Sequence, residues 1–382
     1  MALDVTQLQM VRETEVFIAA ESTFGTLAAF VAANAVLPVG LPTIKQMESF
    51  TPNPEIKNSR SLTDRFRDVT PPGEWQLDVL ARPSGTAGTA PAEDTLLYCA
   101  LGDKEVTGST SVVYTPAIEL PTFSMGVRVS DLTRFAAGCA VESLKIAMAS
   151  KGAVAITASG KCKSVVMAGK STTAADSTTT VLNLVEGGAM QFQAGARIKV
   201  GTDDNTGAGY EISAVDTTAD TVTVSPALTG APAADLTVEG FLPTGSVVGA
   251  PLENRYATLS LGGTALTCES FDLTIANQAN WLDLISTGSF PEAFVLGQRT
   301  VSGSASLPLI LPNLKHFRQA RDQEEAALSI AINGGAGKTI TLAMAQTYID
   351  TPEVSGDVQV NEQLTFNCLG SAGEDEISAS YT

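Results

Sequence analysis

A period of two runs through most of this chain. In Glu74-Trp75-Gln76-Leu77-Asp78-Val79-Leu80, Val141-Glu142-Ser143-Leu144-Lys145-Ile146 and Val301-Ser302-Gly303-Ser304-Ala305-Ser306-Leu307, apolar and polar or small residues alternate, with Gly, Pro or Ser nearby as punctuation. Successive side chains of an extended chain point to opposite faces, so this pattern specifies strands with one buried face. Only two stretches read as helices. One is Ala92 to Leu101, closed by Gly102; the other runs from about Pro312 to about Ala326, with Leu314, Phe317 and Arg321 on one face. The fold class is therefore mainly β.

The two helices expose a repeat of pattern. Each follows a strand, at 74–82 and 298–309, and precedes three more: 110–116, 121–129 and 134–149 after the first, 326–332, 338–346 and 357–369 after the second. A further extended segment lies ahead of each, near 43–62 and 264–277. Residue identity between the halves is low, so the repeat is one of order. Between them, Lys170 to Thr180 is a Ser/Thr/Ala tract that reads as a linker. From there to Ala250, short strands at 196–200, 210–215 and 221–224 alternate with Gly-, Asp- and Asn-rich turns. The expected organisation is a first domain over 1–133, a second over 134–170 and 251–382, and a small all-β domain over 171–250 inserted into the second.

Of the 382 residues, 44% are hydrophobic and only 17% charged, so the chain must hide much surface, in cores or against copies of itself. Its 23 Lys and Arg against 41 Asp and Glu give 23 − 41 = −18. Such a chain grips nucleic acid poorly, because that needs clustered cations; the acid excess serves solubility, or lets DNA pass without sticking. The five cysteines, Cys99, Cys139, Cys162, Cys268 and Cys368, are scattered and odd in number, which reads as reduced thiols in a reducing cytoplasm. Met1 to Val5 lacks the order of a signal peptide, and no apolar run approaches the roughly 20 residues of a membrane span.

Motifs for chemistry fail on spacing. The single His316 has no Ser or Cys elbow and is read as a surface or helix-packing residue. Gly334-Gly335-Ala336-Gly337-Lys338-Thr339 lacks the first glycine of a phosphate-binding loop, since Ile332 stands there, and a strand-like run follows; it reads as a hairpin turn. Asp203-Asp204-Asn205 lacks the register of a calcium loop and reads as a turn. Glu374-Asp375-Glu376 reads as a solvated tail, and Trp75 and Trp281 as core anchors. No catalytic, cofactor or metal residue is assigned.

Taken in order, several segments resemble the major tail tube proteins of long-tailed, non-contractile bacteriophages. They are Glu15 to Thr26, Arg60-Ser61-Leu62-Thr63, the helix ending Leu101-Gly102, Pro121 to Met125, Ala137 to Ile146 with Thr157 to Lys161, and, in the second half, Cys268 to Ile275 with Arg299 to Ser304. The resemblance spans both halves and leaves out the insert. It implies two tandem β-sandwich or tube-barrel domains, each with a flanking helix, in a non-enzymatic virion protein that polymerises into stacked rings around a genome channel. It implies as partners copies of the chain itself, in a trimeric pseudo-sixfold ring or a hexamer, with tail tip, tape measure and terminator proteins beyond. DNA would pass without specific binding, no membrane would be involved, and assembly in the host cytoplasm would precede residence in the virion tail. A head-decoration or fibre subunit is the alternative reading, because β-rich Thr/Ala/Gly composition is common to these too.

Overall fold

The computed structural model describes residues 13–55, 61, 64–282, 289–356 and 359–382. Met1 to Val5, most of Arg60 to Thr63, and residues 357–358 of the strand expected over 357–369 lie outside them. The alternating runs form antiparallel sheet. The first half holds β1 (Thr14–Ala20), β2 (Ala35–Val36), β3 (Thr43–Lys45), β4 (Phe50–Pro52), β5 (Arg65–Arg67), β6 (Gly73–Leu80), α1 (Asp94–Leu101), β7 (Gly102–Thr107), β8 (Ser111–Pro116), β9 (Phe123–Val129), β10 (Leu132–Ala149), β11 (Ala155–Cys162) and β12 (Ser164–Ala168). The insert holds β13 (Lys170–Thr172), β14 (Val181–Asn183), β15 (Arg197–Val200), β16 (Tyr210–Asp216), β17 (Thr221–Ser225) and β18 (Thr237–Gly240). The rest is β19 (Ala257–Leu261), β20 (Thr264–Leu266), β21 (Ser270–Leu282), β22 (Ala293–Pro308), α2 (Lys315–Asp322), β23 (Ala326–Asn333), β24 (Thr339–Ile349), β25 (Glu353–Ser355), β26 (Asn361–Leu369) and β27 (Ser378–Tyr381).

Strand partners make the repeat concrete. The first half pairs in the order β2-β1-β9-β10-β11-β6-β3. The second pairs in the order β20-β19-β23-β24-β26-β22-β21. Even a bulge recurs: the β9–β10 register slips between Ala136 and Cys139, and the β23–β24 register slips between Ala326 and Leu328, opposite Met344 and Thr347. Ala136 thus corresponds to Met344, and Cys139 to Thr347. Bulges fix register, so a shared one is a strong marker of equivalence. The β7–β8 hairpin has no counterpart between α2 and β23. The repeat expected from strand order alone was therefore one strand out of step, since β9, and not β8, corresponds to β23.

The expected division at 133/134 falls inside a single strand. The N-terminal part of β10 pairs with β9 and β12, and its C-terminal part with β11 and β21. That last pairing joins the halves through seven residue pairs, Ser143–Ala149 against Ser270–Ala276, and β27 adds a second seam on β8. One hydrophobic cluster runs across both seams, holding Trp75, Leu77, Leu144 and Ile146 with Leu273, Ile275, Ile330 and Phe366. The two halves are equivalent in pairing yet share one core.

The Lys170–Thr180 tract is no linker. Its first residues are β13, paired with β18, and the fully buried Thr173 donates its hydroxyl to the Ala233 carbonyl at 2.7 Å. The six-stranded insert sheet follows β12 and precedes β19, so it lies between the two strand sets and not within the second. Its core is shared with Phe17, Phe30 and Phe135 of the first half.

The second helix is shorter than its apolar pattern suggested. A 3₁₀ turn over Leu311–Leu314 leads into α2, and Gln323 ends it in the left-handed conformation, so Ala326 already opens β23. Its buried residues are His316 and Ala320, four apart and so on one face, while Leu314 and Arg321 are exposed.

A shared core predicts shared unfolding. Leu144, fully buried at the seam opposite Ile275, should cost about 2–5 kcal/mol when replaced by alanine. In Leu144→Ala, urea unfolding followed by tryptophan fluorescence and by far-ultraviolet dichroism should shift as one transition; two separated transitions would show that the halves unfold independently.

Candidate assembly surfaces

The seam between the halves is knit by polar groups as well as by backbone. Asn277, 5% exposed, donates from Nδ2 to the carbonyls of Ala100 at 2.9 Å and Val141 at 3.2 Å. Its Oδ1 accepts from Arg299 Nε at 3.2 Å, and the same guanidinium donates to the Ala117 carbonyl. Trp281 donates from Nε1 to Glu142 Oε1 at 3.2 Å and packs with Phe24 and Phe294. Burial pushes the Glu142 carboxyl up, against the pull of Lys161 and of this indole donor. Buried polar groups fully paired in this way fix one geometry of the seam.

Glu93 locks the far end. Its buried carboxylate accepts the Arg82 backbone N–H at 3.0 Å and the Tyr381 hydroxyl at 2.8 Å, which ties the C-terminal strand to the start of α1. Burial raises the Glu93 carboxyl to about 7, with those two hydrogen bonds opposing it.

The residues singled out for chemistry have partners within the fold. His316 and Glu362, both fully buried, meet at 2.8 Å through Nδ1 and Oε1, so the histidine joins α2 to β26 and is not on the surface. Removing either partner would strand the other in the core, at a cost on the order of 3 kcal/mol. Gly334 to Lys338 form the β23–β24 turn, where Lys338 N–H donates to the Gly335 carbonyl. Asp203 accepts the Tyr210 hydroxyl at 2.6 Å and the Thr229 hydroxyl at 2.8 Å within a turn of the insert, and the tyrosine bond is the main pull that lowers its carboxyl. Glu374 to Glu376 are not the expected solvated tail: they lead into β27, Asp375 accepts the Ser371 backbone N–H at 2.7 Å, and the mostly buried Glu376 carboxylate lies 3.6 Å from Arg299. Trp75 is a core anchor whose Nε1 donates to the carbonyls of Ala140 and Lys161, while Trp281 sits half-buried at the seam. Four cysteines are buried and Cys268 is half-buried; burial raises the Cys99, Cys139 and Cys268 thiols and takes Cys368 to about 11, away from thiolate chemistry. Among the described residues no group of three or more His, Cys, Asp or Glu converges to hold a metal, and no helix is long and apolar enough to cross a membrane.

What the surface offers instead is unpaired edge and exposed apolar side chain. The segments flanking β3 present Val39 and Met47, the latter 77% exposed, and the β4–β5 hairpin presents Phe50 and Phe66. On the second half, Leu311 is 84% exposed and Val354 of β25 is 49% exposed. Neither the outer edge of β3 nor that of β25 carries a strand among the described residues. Open edges with apolar side chains are what a polymerising sheet protein leaves for its neighbours. The extended segment expected near 43–62 takes in β3, whereas the three residues of β25 are too few for alternation to mark, and nothing local shows which edge stays open.

A pH dependence follows from Glu93. Its folded carboxyl takes up a proton more readily than in the unfolded chain, so its contribution is full below the ordinary carboxylate range and is lost as pH rises through about 7. Unfolding free energy measured in urea at pH 5 and pH 8 should fall on the order of 3 kcal/mol further in the parent than in Glu93→Gln; equal falls in both would contradict the assignment.

A sequence model of the family described as phage tail tube protein matches this chain twice, over residues 12–200 and 189–368. The curated proteins contain no significant match. The first match takes in β1 to β12 and continues through β15 of the insert, and the second begins within the insert and runs through β19 to the end of β26 within one residue, so each strand set falls in its own match and, against expectation, both matches reach into the insert. The chain belongs to the phage tail tube protein family.

Proposed function

We propose that this chain polymerises into stacked rings that form the phage tail tube, with three chains per ring, each supplying two adjacent tube units. One observation carries the reading: two strand sets of identical order are already joined edge to edge, through β10 and β21, as two subunits of a ring would be. The unit boundaries that follow are residues 13–168 and 257–382, with the insert between. A hexamer of chains would leave six of the twelve sets outside the ring.

In this ring the sheet made of β3, β6, β11 and the C-terminal part of β10, continued by β21, β22, β26 and β24, faces the channel. The insert packs against Phe17 and Phe135, which belong to the β1–β9–β10–β12 sheet behind it, and so lies on the outside. The net charge of −18 suits a conduit past which DNA slides without binding. The protein acts without catalysis, is assembled in the host cytoplasm into the virion tail, and meets tip, tape measure and terminator proteins at its ends.

Native mass spectrometry of one dissociated ring should give three chains; six would sink the two-unit reading. The outside position of the insert has its own test at Met190, an exposed residue of its 3₁₀ turn. In Met190→Cys, assembled tubes should react with a bulky maleimide as fast as free protein does, whereas protection on assembly would put the insert in a contact or in the channel.

A further inference from the structure

The seam inside the chain is a template for the seam between chains. Cys139 corresponds to Thr347, so Ala140 corresponds to Tyr348, and their partners Lys161 and Asn367 correspond in turn. Stepping along β11 and β26 equates Thr157 with Gln363, whose partners are Lys145 and Glu353 on one side and Asp78 and Ser306 on the other. Two residues further along β6 and β22, Gln76 and Ser304 pair with Thr43 and Asp272. Within the chain, Lys145, Ile146 and Ala147 lie opposite Thr274, Leu273 and Asp272.

We infer that β25 of one copy adds antiparallel to the outer edge of β3 of the next, where the Ile44 carbonyl now accepts from Arg134 Nη1 at 3.1 Å, with Glu353 opposite Lys45, Val354 opposite Ile44 and Ser355 opposite Thr43. The inference rests on the ring reading and supplies its missing contact. Three features that took no part in the alignment agree with it. Glu353 and Lys45 are exposed and opposite in charge, and Lys45 meets the surface carboxylate of Glu74 at 2.8 Å. Val354, half-exposed without a partner, takes the place of Ile146, which is buried in the core with Leu273, Ile330 and Ile332. The counterparts of those three residues, Ile44, Val127 and Val129, line an open groove of about 220 Å³ beside β3.

The charges also run in opposite senses across the two seams. Inside the chain a lysine of the β10 edge reaches Asp272 at 3.6 Å; between chains a glutamate of the β25 edge meets a lysine. Exchanging the seams would set Lys145 opposite Lys45, so the first unit of one chain is steered away from the first unit of another.

Cross-linking tests the register while microscopy tests the ring. Thr43→Cys with Ser355→Cys should give covalent dimers and trimers on oxidation of assembled material, because directly opposed side chains in a ladder lie within disulfide reach, while Met47→Cys with Ser355→Cys, four residues out of register, should not. Independently, Glu353→Lys or Lys45→Glu should raise the concentration needed for assembly about tenfold or more, and the double exchange should restore it. Rings seen by negative-stain microscopy without the in-register cross-link, or single exchanges without effect, would overturn this pairing and leave the ring reading standing. Protein that stays monomeric at every concentration would overturn both.

Discussion

Everything in this molecule follows from the need of a strand edge for a partner. A backbone edge carries donors and acceptors that must be paired, covered or left to water, and a sheet protein with long flat edges aggregates unless something consumes them. Here β10 consumes four edges at once. It is long enough to serve one sheet with its first part, through β9 and β12, and a second with its last, through β11 and β21. The bulge near Ala136 and Cys139 turns the strand between those two duties, and the corresponding bulge in β24 does the same in the second half.

That device explains why two equivalent halves do not behave as two beads. In the ring proposed for this chain, half of the contacts between equivalent units would lie inside single chains, which would remove half of the association steps from the cost of assembly. The chain can then differentiate the two kinds of contact. The internal one is reinforced by Asn277, Arg299 and the Glu93–Tyr381 bond, groups buried for good at folding. At the outer edges β3 carries Lys45, and β25 carries Glu353 with the half-exposed Val354, short charged strands suited to staying soluble until a partner arrives.

Much of this was legible in the sequence, and what was not has a physical reason. Alternation marks a strand and its buried face, so β6, β10, β22, β23 and β24 could be read directly, and Gly102 marked the end of α1 because it adopts a positive φ of 107° there. Alternation does not name a strand's partner. The division at 133, the linker at 170 and the out-of-step repeat all came from that gap: each asked which segments sit together, a question answered by strand pairings such as Leu144 with Ile275, Lys170 with Glu239 and Ala326 with Thr347. His316 had the same fate, because its partner Glu362 stands 46 residues away on β26 and no local pattern announces it. The assembly edges were invisible for a further reason, since an open edge and a paired one have the same alternation.

In the proposed ring, six equivalent units, two per chain, alternate around the axis. Electron cryomicroscopy of assembled tubes, reconstructed without imposing sixfold symmetry, tests it most directly. Three chains per ring, six backbone seams of the same strand geometry and three insert densities on the outer wall are expected. Six chains per ring with their second halves outside the tube, or insert density within the channel, would contradict it.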